Sequence, residues 1–287
     1  MCDSLVALRS CTANGVTLFA KNSDRPPLES QVLEWSTPRS ETSTRTTHIT
    51  IDASPDPTVR CLLSRPSWCW GAEHGVNEAG VAIGNESIYT TLDPRSAPPA
   101  LIGMDLVRLG LERAETAHDA IEVMTTLLER YGQGGTGHDV GLIGKDRPYW
   151  SSFLVADPTD AWILETSGNE WAAEQVHDAA AISNRTCIAS FDAVHRHPAQ
   201  PVERLIDPRL NASRAVLAQR PVTRSAIEVH LRSHDSCLEP GWSVCMHVPN
   251  LEATTASIIA ELPVGDAPTA WMLLGSPCEQ EYTALTF

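Results

Sequence analysis

Long apolar runs are missing from this chain of 287 residues. No stretch approaches the roughly 20 consecutive apolar residues of a membrane-spanning helix. The first residues, MCDSLVALRSCTANG, also lack the basic and long apolar segments of a secretory signal peptide. We therefore expect a cytoplasmic protein that does not interact with membranes.

Basic residues are few, with 21 against 36 acidic residues and a formal net charge of -15. A surface with this charge repels phosphate backbones and anionic lipids, so nucleic acid is not expected as a partner either. A small molecule is the more suitable ligand. The sequence leaves a homo-oligomer open.

The eight cysteines form no CxxC pair and no closely spaced framework. Reduced and mostly buried thiols are the expectation for such a chain. Phosphate-loop, GxSxG and HExxH motifs are absent as well. The sequence therefore predicts no cofactor and no metal ion.

Apolar residues make up 42% of the chain and charged residues 20%, which is typical of a folded domain. Single β-rich domains of more than about 200 residues are common. We expect one domain over residues 1–287, or 2–287 once Met1 is removed.

Turn signals between apolar runs predict several β-hairpins. Asn14 and Gly15 separate residues 3–8 from residues 16–21, and a second hairpin spans residues 70–85. Further strands are predicted near residues 48–51, 152–156, 161–165, 179–183, 243–248, 255–262 and 269–274.

Helical spacing of apolar residues predicts two consecutive helices in residues 101–131, with a break near Glu115. Thr116 is the expected N-cap of the second helix and Gly132 its C-cap. Shorter helices are predicted at 212–218 and 225–231. Strands followed by helices and then more strands indicate an α+β fold with antiparallel sheets.

Removal of Met1 is expected where the second side chain is small, and it gives the cysteine at position two a second reactive group. One residue then carries both a thiol and a free α-amine. An α-amine titrates near ~7.7–8.0 and a thiol near ~8.5, so the amine can accept the thiol proton without a histidine. Position two alone is weak evidence, because most such cysteines have no catalytic role.

The segment FAKNSDRP, residues 19–26, lies on the strand predicted to pair with the first one. Lys21 is one of only two lysines in the chain, and its ammonium could lower the thiol pKa. Asp24 could accept a hydrogen bond from the α-ammonium. The alternative is a solvated charged turn.

Two asparagines are candidate hydrogen-bond donors to an oxyanion: Asn85, at the end of a predicted strand, and Asn184 in AISNRT. Both also suit an ordinary turn.

Substrate contacts are predicted at Trp68 and Trp70, which could line a pocket, although tryptophans more often belong to the core. Glu73 and Glu86 could hold a substrate ammonium, with exposed hairpin carboxylates as the alternative.

Two other constellations compete with Cys2. Cys69 with His74 could form a papain-like dyad, although no local signature supports it. Cys237, Cys245 and His247 could bind zinc, although the spacing is unusual and a fourth ligand is missing.

Six blocks of sequence, in the order given, resemble the secernin and C69 dipeptidase family. They are MCDSLVAL, FAKNSDRPPLESQ, SRPSWCWGAEHGVNEAGVAIGNES, the helical residues 101–135, SSFLVADPTDAWILET and TTASIIAELP, and the resemblance runs from residue 1 to about residue 278.

This resemblance implies the N-terminal-nucleophile hydrolase fold, a four-layer αββα sandwich. It also implies a cysteine dipeptidase that works through an acyl-enzyme thioester at Cys2. By similarity with the penicillin V and bile-salt acylases, Lys21 takes a place usually held by arginine and Asp24 is the amine partner. Asn85 and Asn184 match the oxyanion and amine-holding asparagines.

The chain departs from these relatives at two points. Its C-terminus is shorter, and the downstream arginine of the acylases has no secure counterpart in the sequence, where His247 is offered instead. An acylase acting on N-acylated small molecules therefore stays open as an alternative. So does a noncatalytic interaction protein, because some secernin-like members are described as regulators of exocytosis.

Overall fold

Antiparallel strands dominate the computed structural model, which describes residues 1–235 and 239–287. The strands are β1 (Cys2–Ala7), β2 (Thr17–Arg25), β3 (Gln31–Ser36), β4 (Ser43–Arg45), β5 (Thr50–Asp52), β6 (Cys61–Pro66), β7 (His74–Asn77), β8 (Ala82–Ile88), β9 (Trp150–Ala156), β10 (Ala161–Ser167), β11 (Glu170–Gln175), β12 (Ala179–Ile182), β13 (His247–Val248), β14 (Glu252–Leu262), β15 (Thr269–Leu274) and β16 (Thr283–Thr286). The helices are α1 (Gly103–Arg113), α2 (Ala117–Tyr131), α3 (Val140–Ile143), α4 (Ala189–His195), α5 (Val202–Leu205), α6 (Asp207–Ala218) and α7 (Arg224–Leu231).

The strands form two large sheets and one small ribbon. The first sheet has the order β12-β1-β2-β14-β15-β16, with β13 paired to β14, and the second has the order β11-β10-β9-β8-β7-β6-β3. Strands β4 and β5 pair only with each other. Within the described residues, no helix has the length and apolarity needed to cross a bilayer.

Three apolar layers hold these elements together. Helices α1 and α2 pack on the second sheet, around residues such as Leu109 and Phe153. The two sheets face each other through Phe19 and Ile258, among others, and α6 and α7 cover the first sheet around Ile227. This order of helices, sheet, sheet and helices confirms the predicted α+β class and the four-layer αββα sandwich.

The predicted helix pair in residues 101–131 is confirmed, and so are its caps. The Thr116 hydroxyl accepts a hydrogen bond from the Asp119 backbone N–H at 3.1 Å. Gly132 has φ of 76°, a value that glycine adopts without steric cost, and its N–H donates to the Leu128 carbonyl. Residues 114–116 between the caps are extended or irregular, which explains the break near Glu115.

The C-terminal part differs from the prediction in two places. Helix α6 begins at Asp207 rather than residue 212, because Pro208 fits the first helical turn, where no backbone donor is needed. The strand predicted at 243–248 shrinks to His247–Val248, since the Met246 N–H donates to the Thr254 side chain instead of a strand neighbour. Strands β3, β6, β11 and β16 and helix α4 were not predicted.

Strand register brings the start of the chain to one end of the sandwich. Cys2 lies opposite Ser23 in the β1–β2 pair, and β2 in turn pairs with β14. The facing sheet comes very close at Gly84, where an added Cβ would lie 2.5 Å from the Lys21 Cδ. Glycine at this position therefore allows Lys21 to lie between the sheets.

Glu165 on β10 is a buried carboxyl that joins this strand to the start of α4. Its two oxygens accept the backbone N–H groups of Cys187 and Ile188. Burial raises the pKa of Glu165 from 4.5 to about 8, and these two hydrogen bonds only partly offset the effect.

Replacing Glu165 with glutamine is expected to improve stability relative to the wild type as the pH rises from 4.5 to about 8. The folded chain retains a proton in this window that the unfolded chain releases, so the carboxyl loses its stabilising contribution as pH increases. The relative gain should be on the order of 1 kcal/mol per pH unit. Urea unfolding across this range measures it. The exposed Glu174→Gln is the control, and a pH-independent difference for Glu165→Gln would contradict the prediction.

Candidate active site

Cys2 lies at the first position of β1, with 5% of its surface exposed. Its surroundings contain a cavity of about 10 Å³, room for about one water molecule. The cavity is lined by Met1, Cys2, Asp24, Arg25, Glu73, Asn85, Ser87, His138, Arg147 and Tyr149. Because Met1 is part of the wall, its removal would enlarge this space.

The Met1 amine is bound inside this site. It donates to the Asp24 carbonyl at 3.1 Å and contacts the Glu252 Oε2 at 3.4 Å. The Met1 carbonyl accepts the Asp24 N–H at 2.9 Å. Met1 therefore continues the pairing of β1 beside β2 and places a positive charge against Glu252.

Asn184 faces the nitrogen of Cys2. Its Oδ1 accepts the Cys2 N–H at 2.8 Å, while its Nδ2 donates to the Ser87 carbonyl at 2.9 Å. The second contact fixes which end of the amide points to Cys2. Loss of Met1 would thus leave the new α-amine next to an acceptor that is already oriented.

Arg209 on α6 is a site neighbour that the sequence analysis missed. Its fully buried guanidinium donates to the Cys2 carbonyl at 3.3 Å and to the Asn184 Oδ1 at 3.1 Å, and it pairs with Asp3 at 2.5 Å. His247, which had been considered for the place of the acylases' downstream arginine, does not line the cavity at Cys2. One signal was present in the sequence: Arg209 shares a helical face with Ser213 and Leu217, four and eight residues on.

Lys21 is fully buried beside the thiol, and its Nζ lies 3.6 Å from the Glu86 Oε1. Burial alone lowers the pKa of Lys21, but the negative charge that Cys2 carries once its thiol ionises and that of Glu86 raise it above its ordinary value. Lys21 is therefore a permanent cation in the site.

The thiol of Cys2 is neutral as long as Met1 is attached. Burial raises the pKa of Cys2 to about 12, although the Lys21 and N-terminal ammonium groups act in the opposite direction. Nearby Glu73 and Asp24 raise the pKa further. A thiolate thus requires either a local base or relief of the burial.

Asp24 at the end of β2 has one oxygen engaged and one free. Its Oδ1 accepts the Thr254 hydroxyl at 2.7 Å, whereas its buried Oδ2 has no hydrogen-bond partner within the described residues. Burial raises the pKa of Asp24 to about 7, and the N-terminal ammonium partly opposes this shift. The free oxygen is suited to accept a proton donor close to Cys2.

Asn85 and Glu73 both line the cavity from the facing sheet or its edge. The Oδ1 of Asn85 is buried and has no hydrogen-bond partner in the part of the chain that the structure describes. The Oε2 of Glu73 lies 3.9 Å from the Cys2 Sγ, and its Oε1 accepts the Arg25 Nη1 at 3.1 Å. Arg25 is shared between Glu73 and Glu29, to which it donates at 2.6 and 2.9 Å, so it balances only part of the negative charge near the thiol.

Glu86 does not line the cavity. Its Oε1 accepts the Ser4 hydroxyl at 2.5 Å and pairs with Lys21, and the side chain is fully buried between the sheets. The hypothesis that Glu86 holds a substrate ammonium thus conflicts with its position, because Lys21 already occupies it.

Trp68 and Trp70 lie at a different cavity, of about 830 Å³. The Trp68 indole N–H donates to the Glu29 Oε1 at 2.9 Å, and the Trp70 ring packs 4.5 Å from the Arg108 guanidinium. Neither ring lines the cavity at Cys2, so the geometry does not support their predicted substrate contacts. The loop after β6 directs both indoles to the outside of the second sheet.

The alternative dyad is not formed. The Cys69 thiol lies 3.3 Å from the Thr47 hydroxyl, whereas the His74 Nδ1 lies 3.0 Å from the Ser23 hydroxyl. Burial holds the pKa of His74 well below its usual range. The two residues thus have separate partners, and His74 is a neutral core histidine.

The zinc hypothesis involves one residue, Cys237, that lies outside the described part of the chain. Its other two members are close together, with the Cys245 Sγ 3.5 Å from the His247 Nε2.

Solved structures share this fold across nearly the whole chain. An N-acylethanolamine-hydrolyzing acid amidase ortholog from Caenorhabditis elegans is 10% identical, with a TM-score of 0.54 and coverage of 92% of this chain and 94% of the other. Penicillin V acylase from Agrobacterium tumefaciens is 14% identical, with a TM-score of 0.53 and coverage of 96% and 84%. A conjugated bile acid hydrolase variant from Clostridium perfringens is 10% identical, with a TM-score of 0.58 and coverage of 99% and 97%.

At these identities the likeness concerns the fold, which is that of the N-terminal-nucleophile hydrolases. The family is given by the sequence itself, because peptidase family C69 matches residues 1–201. That match includes Cys2, Lys21, Asp24, Asn85 and Asn184. The chain belongs to peptidase family C69.

Proposed function

We propose that this protein is a cysteine amide hydrolase in which Cys2, freed of Met1, is the nucleophile. The observation that carries the proposal is the position of Cys2, which lines a cavity together with acidic, amide and cationic side chains while its nitrogen donates to Asn184. Membership of a peptidase family and the fold shared with three amide hydrolases support the same reaction class.

The first half of the reaction uses both ends of Cys2. The neutral α-amine takes the thiol proton, and the sulfur attacks the carbonyl carbon of the substrate. The carbonyl oxygen becomes an oxyanion, for which the Asn85 amide is the proposed donor. The tetrahedral intermediate then collapses: the C–N bond breaks, the leaving amine takes the proton from the α-ammonium, and a thioester remains on Cys2.

The second half reverses these roles with water. The α-amine accepts a proton from a water molecule, whose oxygen attacks the thioester carbonyl. The C–S bond breaks, the proton returns to the sulfur, and the carboxylic acid leaves. Each cycle therefore consumes one water and restores Cys2.

The remaining groups set the charge and position of Cys2. Lys21 stabilises the thiolate by charge, since a neighbouring ammonium lowers a thiol pKa. Asn184 and the free oxygen of Asp24 are the proposed acceptors for the α-ammonium. Arg209, through Asn184 and the Cys2 carbonyl, holds the residue in this orientation.

For the substrate, we propose a dipeptide with a free α-amine. Support comes from Glu252, whose Oε2 accepts the Met1 ammonium while its Oε1 is held by Arg147 at 2.9 Å. Burial alone would raise the pKa of Glu252, but the Met1 ammonium and Arg147 bring it below its ordinary value. After loss of Met1 the same carboxylate can accept the ammonium of a substrate, which an N-acylated molecule lacks.

Replacing Glu252 with glutamine is expected to lower kcat/KM for a dipeptide about 10- to 100-fold. A hydrogen bond to a charged group contributes roughly 1.5–3 kcal/mol, which corresponds to this loss. The N-acetylated form of the same dipeptide should be hydrolysed at an unchanged, low rate. Paired assays of the two substrates measure the effect.

Glu261→Gln, on the same strand but at its far end, is the matched control and should retain the preference for the free amine. If the wild type prefers the acetylated substrate, the enzyme is an acyl-amide hydrolase and Glu252 does not bind a substrate ammonium. If neither substrate is turned over, a noncatalytic binding protein becomes the better hypothesis.

A further inference from the structure

Four metal-binding side chains converge on the surface of the first sheet. His234, Cys245, His247 and Cys278 each bring one ligand atom into a group in which all atoms lie within 4.8 Å of one another. None of the four lines the cavity at Cys2. The cluster is therefore a separate feature of the molecule.

The four residues come from three segments that are distant in sequence. His234 follows α7, Cys245 and His247 lie at the start of β13, and Cys278 lies between β15 and β16. Such a gathering of soft thiols and imidazoles has no function in the proposed hydrolysis.

The distances fit a tetrahedral ion. A zinc ion with bonds of about 2.3 Å to sulfur and 2.0–2.1 Å to nitrogen places its ligand atoms about 3.3–3.8 Å apart. The His247 Nε2 lies 3.5 Å from the Cys245 Sγ and 3.2 Å from the Cys278 Sγ. The rings of His234 and His247 have centroids 5.2 Å apart. The two printed separations of His247 from the sulfur atoms are thus close to those that one tetrahedral ion requires.

We propose that these four side chains bind one structural zinc ion. Two thiolates and two neutral imidazoles match the ligand preference of zinc, and four protein ligands leave no open position for catalysis. Binding replaces the two thiol protons by the dication, so the site becomes neutral and two protons are released to solvent. Cys278 and His234 are exposed, which gives the ion a path from solvent.

The ion would stabilise the residues around β13, which have little regular secondary structure. Strand β13 has only two residues, but the neighbouring Met246 N–H donates to the Thr254 hydroxyl at 2.8 Å. That hydroxyl donates to the Asp24 Oδ1 at 2.7 Å. The Ser276 hydroxyl, two residues before Cys278, donates to the Thr254 carbonyl at 3.0 Å. The cluster thus lies behind the residue that positions Asp24.

The test uses the full-length protein, reduced, supplied with zinc sulfate and then desalted. Elemental analysis should give about one zinc per chain. Replacement by Co²⁺ should give a thiolate-to-cobalt charge-transfer band and the strong visible absorption of tetrahedral cobalt. Chelation should lower the thermal midpoint of the wild type, because a ligand that binds only the folded chain stabilises it.

Cys278→Ser and His234→Ala change exposed residues, so both variants should fold. Each variant should bind zinc more than about 100-fold more weakly, and chelation should no longer lower its thermal midpoint. The reason is that removal of a direct ligand should weaken zinc binding more than removal of a residue that only supports a ligand. Cys187→Ser and His177→Ala, which lie outside the cluster, should bind zinc as the wild type does. A reduced wild type without stoichiometric zinc overturns the proposal, and so does unchanged zinc affinity in Cys278→Ser.

Discussion

Cys2→Ala is expected to abolish amide hydrolysis, with kcat reduced about 10⁴-fold or more. The substitution removes the sulfur that forms the thioester, and among the described residues no other cysteine lines the cavity. The small cavity left by one sulfur atom should be tolerated, because Cys2 lies at the end of its strand. Steady-state assays on purified protein, with circular dichroism to confirm folding, measure the effect.

Cys69→Ala is the matched control for this variant. It also removes a buried thiol, but one that contacts Thr47 rather than the Cys2 cavity. We expect this variant to keep wild-type turnover. Activity that survived in Cys2→Ala and was lost in Cys69→Ala would identify Cys69 as the nucleophile.

The site residues that could be placed near one another from the sequence are those that a β-hairpin brings together. The turn signal at Asn14 and Gly15 defines the first hairpin, and its register sets Cys2 opposite Ser23, next to Asp24. Asn85 lies in the middle of β8 (Ala82–Ile88) rather than at the end of a strand as predicted, but the hairpin that contains it was equally clear. For these residues, the turn signals in the sequence were sufficient to predict the hairpins that carry them.

The residues that were missed depend on contacts across more than 200 positions. Arg209 reaches Cys2 from the helical layer, and Glu252 reaches Met1 from β14. Neither lies in a motif, and the helical face that Arg209 shares with Ser213 and Leu217 indicates burial but not a contact with Cys2. The role of Arg209 follows from the packing of a helix on the first sheet, and that of Glu252 from the pairing of β14 with β2.

Tertiary packing also explains the candidates that the geometry does not support. Trp68, Trp70 and Glu86 come from the same stretch of chain as Glu73 and Asn85, but the two tryptophans lie in the loop between β6 and β7, and neighbouring side chains along β8 alternate between the two faces of the sheet. Glu86 thus points away from the cavity and into the pair with Lys21. Proximity in sequence therefore did not determine which of these side chains face the cavity at Cys2.

A chain with any residue left before Cys2 is expected to be at least about 10³-fold less active than the processed chain. The α-nitrogen of Cys2 is then an amide, which cannot accept a proton, and the pKa of the thiol stays at about 12. Only roughly one thiol in 10⁵ would be ionised at neutral pH with that pKa. The amine of Met1 would also occupy Glu252, where the substrate ammonium is proposed to bind.

A fusion protein that can be cut directly before Cys2 provides the test. Intact mass before and after cleavage identifies the two forms, and the same sample is assayed on the same dipeptide. Activity should appear in proportion to the cleaved fraction, while a Cys2→Ala fusion should remain inactive after cutting. Equal turnover by uncut and cut chains would mean that the α-amine is not the base, because the sulfur would then be ionised by a group that the extra residue leaves unchanged.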